Sequence, residues 1–245
     1  MKAARELAVL VRMNLLMHRG FIFVMGIVML MFPLGFVLGM GYLIPNISEE
    51  TATYITIGSA AQAVITIAAV GLPQMLAEAR NEGRVEYFLA MPISREAYLL
   101  AFLVESMFLA IPGFVFAIVL GWWHYDLSLS FDPTIILVAI LAMLATSGAG
   151  MVLAILIPHM QLVNAITQLL IFYFIFFSPV LLPIEQLPDV LQWTSWLLPP
   201  GYAADAMRAT LTDLPDTHLT RSLIALTAFS VFSVAISSLA VRRRG

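Results

Sequence analysis

Few residues in this sequence could carry chemistry. Cysteine is absent from the 245 residues, which excludes disulfides, thiolate metal sites and cysteine nucleophiles. The histidines, at 18, 124, 159 and 218, fall near or beyond the ends of apolar segments, and none pairs with another at metal-ligand spacing. Ser147 sits in Thr-Ser-Gly-Ala-Gly with no base at matching depth, a poor fit to hydrolase chemistry. Lys2 is the only lysine, so a Gly-x4-Gly-Lys-Ser/Thr phosphate loop cannot form. Two polar features remain inside apolar stretches. Glu105 stands alone, and as a charge facing lipid it would cost roughly 2.5 to 3.5 kcal/mol, so it faces protein or water, or is protonated. Gln161, Asn164 and Gln168 recur at i, i+3 and i+7, a polar stripe on one helix face. Such a stripe either lines a route or joins helices, where interhelical hydrogen bonds contribute about 0.6 to 2 kcal/mol. This is the equipment of a transporter rather than an enzyme.

The elements that must position these residues are set by composition. Hydrophobic residues make up 61% of the chain and charged residues 11%, more apolar surface than a water-soluble globule can hide. The net charge of −3 gives no footprint for nucleic acid. A hydrocarbon core about 30 Å thick needs roughly 20 apolar residues. Six segments meet that length: Phe21 to Leu43, Tyr54 to Leu76, Tyr98 to Trp123, Thr134 to Ile157, Leu162 to Leu182, and Leu219 to Val241. Lys2, Arg5, Arg12, Arg19, Arg80, Arg84, Arg95 and Arg242 to Arg244 all fall on one side of these spans. The positive-inside rule therefore puts both termini in the cytoplasm of a multi-pass cell-membrane protein. No short apolar core followed by a small-residue cleavage site appears, so no cleaved signal peptide is expected. Gly35 and Gly39 in the first span, and Ala142, Thr146 and Gly150 in the fourth, have the small-residue spacing that permits close helix approach.

Three connections carry pattern of their own. In residues 1–20, Arg5, Arg12 and Arg19 recur every seven residues beside Leu7, Val11 and Leu15. This predicts a helix in the membrane interface with its basic face toward headgroups, or else the start of the first span. In the cytoplasmic segment 78–97, Glu78, Glu82, Gly83 and Glu86 alternate with Val85, Phe88, Leu89 and Met91 before Pro92. A short helix broken at Pro92 is expected, with Ser94 capping a third span that begins below the membrane. The apolar residues among those charges favour a docking surface over a solvated hairpin. In the outer segment 178–217, prolines at 179, 183, 188, 199, 200 and 215 cut the chain into pieces too short to cross, and Trp193 and Trp196 favour headgroup depth. Short re-entrant helices are expected there, shielding a dimer interface or a pathway mouth.

These residues carry a resemblance. The run Glu78, Glu82-Gly83, Glu86, Leu89, Pro92, Ser94 and Tyr98 resembles the segment after the second span in the type 2 ATP-binding-cassette export permeases. Pro183, Leu187-Pro188, Gln192-Trp193, Pro199-Pro-Gly-Tyr202 and Asp205-Ala-Met-Arg208 are similar to that family's stretch before its last span. Arg84 stands where the family often has Thr, and Ala101-Phe102 where it often has Gly-Lys. The resemblance implies an all-α integral membrane fold: six transmembrane helices, an N-terminal interfacial helix and outer re-entrant helices, forming one permease domain over 1–245. It also implies a second permease copy and two copies of a cytoplasmic ABC ATPase, which holds ATP and magnesium while this chain binds no cofactor. ATPase coupling falls to Glu78, Glu82, Gly83, Glu86, Phe88 and Pro92. The route or subunit interface falls to Glu105, Gln161, Asn164 and Gln168, and the outer cap to Pro188, Trp193, Trp196, Tyr202, Asp205 and Arg208. The cargo expected is a hydrophobic or amphipathic molecule such as a drug or lipid. A lipid-linked polysaccharide is the alternative, as is an ion-coupled secondary transporter using Glu105, although such folds usually repeat their broken spans in both halves.

Overall fold

The computed structural model describes residues 2–44, 47–89, 95–178, 180–181, 189–195, 197–212, 214 and 217–244, and every regular element among them is helical. α1 (Lys2–Met17) is set off from α2 (Arg19–Pro33) by a kink at His18, whose backbone leaves the helical region (φ −91°, ψ 12°). A π turn, Leu34–Leu38, then leads into α3 (Gly39–Leu43). α4 (Glu49–Thr66) runs through a second π turn, Ile67–Gly71, into α5 (Leu72–Asn81). There follow α6 (Arg84–Leu89), α7 (Arg95–Tyr125), α8 (Thr134–Leu156), α9 (Met160–Phe177), α10 (Asp189–Ser195), α11 (Pro199–Leu211) and α12 (Leu219–Arg244).

Five helical stretches are long and apolar enough to cross a bilayer: Ile22–Leu43, Glu49–Asn81, Ala97–Tyr125, Thr134–Leu156 and Leu219–Leu239. The fifth expected span, Leu162 to Leu182, forms the shorter α9. Its end has a local cause: Ser178 precedes a proline, which disfavours the α region, and it is extended (φ −127°, ψ 136°). The second span is longer than its apolar core predicted, reaching from Glu49 to Asn81. Ser48 begins it by accepting the Thr51 N–H at 3.2 Å, with Glu49 and Glu50 favourably placed in the first turn.

That second span is the axis of the fold, with 94% of its apolar window buried. Its neighbours approach through glycines. A Cβ on Gly121 of α7 would stand 2.1 Å from Thr56, and one on Gly150 of α8 would meet Pro73 at 2.3 Å and the Ala69 carbonyl at 2.9 Å. Ala69 is four residues before Pro73, so its carbonyl lacks the usual helical donor, and the π turn lies beside this fault. α12 packs on α8 through serines: Ser230 and Ser233 donate to the Leu141 and Ala145 carbonyls at 3.1 and 2.9 Å. Ala142, Thr146 and Gly150 are all buried in these contacts. Gly35 and Gly39 are not: a Cβ on either would meet nothing within 4 Å, so their expected tight packing is not made among the described residues.

Gly148 gives the sharpest test of this packing, because its Cβ would lie 2.7 Å from the Ser233 Cα, a backbone atom that cannot rotate away. Gly148→Val should lower stability by about 1 to 3 kcal/mol, the usual cost of overpacking. Gly35→Val, in open space, should leave the thermal midpoint of the single chain in detergent unchanged.

Candidate functional site

At the C-terminal end of the second span the chain turns on Gly83, whose φ of 71° is a left-handed conformation natural to glycine. Its N–H bonds the Arg80 carbonyl at 3.0 Å and the Glu82 N–H bonds that of Glu78 at 3.0 Å, closing α5 before α6 begins. The Glu-Gly pair is thus a helix stop. Of the coupling candidates, Glu82 is half exposed and Glu78 half-buried. Pro92, with Ser94, lies outside the described residues, as does the side chain of Glu86.

Phe88 does not present itself for docking. It is 7% exposed and stacks on Tyr98 with ring centroids 5.2 Å apart. Tyr98 meets Phe102 edge-on at 5.2 Å, and Phe102 lies 6.2 Å from the His18 ring. The apolar side of α6 therefore anchors it to α7, leaving Tyr87, 64% exposed, as the outward aromatic.

Behind this ladder lies a polar chain that joins three parts of the sequence. Glu105 is fully buried, and its Oε1 lies 2.6 Å from Nδ1 of His18, itself buried at the α1–α2 kink. His18 Nε2 is 2.9 Å from Arg84 Nη1. A guanidinium has only donors, so Nε2 must accept, which places the imidazole proton on Nδ1, donating to Glu105. Arg84 Nε in turn lies 2.6 Å from Glu82 Oε2. The buried Glu105 carboxyl is thereby joined through the imidazole to a guanidinium at the Gly83 turn. Glu105 Oε2 has no hydrogen-bond partner among the described residues.

Arg80, on the other flank of Gly83, reaches a different span. Its Nη1 donates to the carbonyls of Ala154, Ile155 (3.2 Å) and Ile157 (3.0 Å) at the C-terminus of α8. These are among the last carbonyls of a helix, which have no intrahelical donor, and a cation there also opposes the helix dipole.

The stripe on α9 stays at the surface. Gln161 and Gln168 are exposed, and Asn164 is half-buried with its Oδ1 unpartnered among the described residues. The structure brings none of the three near Glu105. On the outer side, Arg208 is buried, with its guanidinium 4.0 Å over the Tyr54 ring and Nη2 donating to the Val180 carbonyl. The same carbonyl would lie 2.2 Å from a Cβ on Gly58, so residues 180–181 are drawn tightly over the second span. Asp205 accepts from Ser222 at 2.5 Å and from the His218 N–H at 3.3 Å, tying α11 to α12. Tyr202 packs near Phe229, centroids 6.1 Å apart. Trp193 is 80% exposed, as suits a headgroup anchor, while Pro188 and Trp196 lie outside the described residues.

Sequence reasoning missed the structural use of His18, Arg80 and Arg84. Arg84 was visible as a departure from a family pattern. Nothing local marked His18, which is 87 positions from its partner.

A family model described as ABC-2 type transporter matches residues 5–212, which covers α1 through α11. A comparison with curated proteins finds no match.

Replacing Arg80 tests the tie between the coupling turn and α8. Arg80→Gln should cost about 1.5 to 3 kcal/mol, the range for hydrogen bonds to charged groups. The loss should register as a lower thermal midpoint together with faster amide exchange at the α8–α9 junction.

Proposed function

Because the chain belongs to the ABC-2 type transporter family, whose membrane domain is a permease subunit and not the ATP-binding part, we propose that it is the membrane subunit of an ATP-driven exporter. Two copies enclose a route, two copies of a cytoplasmic ATPase bind and hydrolyse ATP with magnesium, and both termini lie on the cytoplasmic side of the cell membrane. The absence of a phosphate-binding lysine loop from the sequence agrees with that division of labour.

The observation that carries the reading is the Gly83 turn. It projects Glu82 and Tyr87 outward, is braced inward by Phe88, and is fastened by Arg80 to α8 and by Arg84 to the His18–Glu105 pair. An ATPase pressing on Glu82 and Glu86 would push on an element already tied to several spans. α7 runs from Arg95 to Tyr125, about 45 Å at 1.5 Å per residue, and can carry displacement along its length, with Pro112 leaving the Phe108 carbonyl without its usual helical donor on the way.

Dimerisation is supported by surfaces the single chain leaves uncovered. The amide stripe of α9 and the unpacked Gly35 and Gly39 are both suited to a second subunit or a water-lined route rather than to lipid. Glu105, enclosed and paired with His18, serves the coupling reading better than an ion-driven site that must open to water. A hydrophobic or amphipathic cargo fits the apolar, methionine-rich spans.

Co-expression with the ATPase encoded beside it should yield a stable complex. If no ATPase binds and a proton gradient alone drives transport in vesicles, the reading fails. Within such a complex, Glu82→Arg with Glu86→Arg should weaken ATPase docking by roughly tenfold or more while helix content is unchanged. Unaltered docking would remove these glutamates from the contact.

A further inference from the structure

We propose that His18 is a transmission joint, a positioning residue through which movement of the Gly83 turn reaches the N-terminal helix and the third span together. The inference rests on the reading of that turn as the ATPase contact.

Three observations carry it. First, His18 occupies the kink itself. Its N–H bonds the Asn14 carbonyl at 2.9 Å and its carbonyl accepts from Ile22 at 2.8 Å, so α1 and α2 pivot about a residue that keeps both backbone bonds. Second, its two ring nitrogens do opposite work: Nδ1–H donates to Glu105 on α7, and Nε2 accepts from Arg84 at the turn. Third, the contacts grow more exposed toward the turn: Glu105 and His18 are 0% and 4% exposed, Arg84 13% and Glu82 50%. The inner pair is therefore closed to water, while Arg84 has a second and more accessible partner in Glu82. A basic group of an ATPase on Glu82 would compete with Arg84 and change the pull on the imidazole. Because Nε2 must remain an acceptor, the joint needs a side chain that donates and accepts at once.

The absence of native cysteine makes a direct test simple. Spin labels at Val9→Cys on α1 and Trp123→Cys at the far end of α7, both exposed sites, report the distance between the two elements in the permease–ATPase complex. ATP with vanadate is expected to shift that distance. His18→Leu, which can neither donate nor accept, should abolish most of the shift while the ATPase still co-purifies. His18→Gln, whose amide can donate to Glu105 and accept from Arg84, should restore it. Arg84→Met leaves the buried pair intact and should lose the shift as His18→Leu does, which decides the matter if the leucine variant does not fold. A full shift in His18→Leu or in Arg84→Met with ATPase bound, or no restoration by glutamine, overturns the joint. Failure of the ATPase to bind the unsubstituted chain would instead overturn the coupling reading beneath it.

Discussion

In a hydrocarbon core a backbone carbonyl without its helical partner has no water to turn to, so a helix can bend or end there only where another group takes up the bond. That constraint runs through this structure. Near the first π turn the Val37 carbonyl accepts from the Tyr125 hydroxyl. At the end of α8 the carbonyls of Ala154, Ile155 and Ile157 are taken by Arg80. Where the chain folds back over the second span, the Val180 carbonyl is taken by Arg208. These three are matched by side chains from distant parts of the sequence, and each match fastens two elements together; the Ala69 carbonyl, freed by Pro73, lies instead within the second π turn.

The fasteners divide the molecule into a packed axis and tied ends. Around the second span, glycines and serines let helices approach until no methyl group could be added, which makes the centre stiff. At the end of the molecule that carries the Gly83 turn the ties are charged: Arg80 to α8, and Arg84 through His18 to Glu105. α7 is held to the N-terminal helices at two points, by His18 on Glu105 and by Tyr125 on Val37. A force on the Gly83 turn therefore meets several spans at once, and dissipating it in one loop would require breaking a buried contact first. The outer segment is held the same way, with Arg208 sandwiched between Tyr54 and Val180.

The apolar spans were legible in the sequence, but not where the helices stop. Glu82-Gly83 falls inside the short helix expected before Pro92, and the structure breaks that helix at Gly83, the residue that takes a left-handed φ without strain. The fifth apolar run continues to Leu182, but its helix ends at Phe177 because Pro179 disfavours the α region at Ser178. Phe88 shows the limit. Its hydrophobicity among charges is plain in the sequence, but whether it faces a partner or the chain's own core depends on where Tyr98 stands, and the structure turns it inward. Gly35 and Gly39 show the converse, since spacing suited to close packing finds no partner among the described residues.

The sequence by itself determined the solvent of this protein and one nucleotide site that it cannot build. Apolar runs of membrane length can be stable only in lipid, and a chain whose single lysine is Lys2 cannot build the usual phosphate loop. Tertiary structure alone decided what Glu105 meets. A lone acid in an apolar run is costly wherever it stands, but whether it meets cargo, an ion or another side chain depends on which residue the fold carries to it. Here that residue is His18, brought 2.6 Å away by a kink that no local pattern announces. Hydrophobic periodicity fixes how each helix sits against its surroundings, whereas a contact between positions far apart in the chain is fixed only when the helices pack.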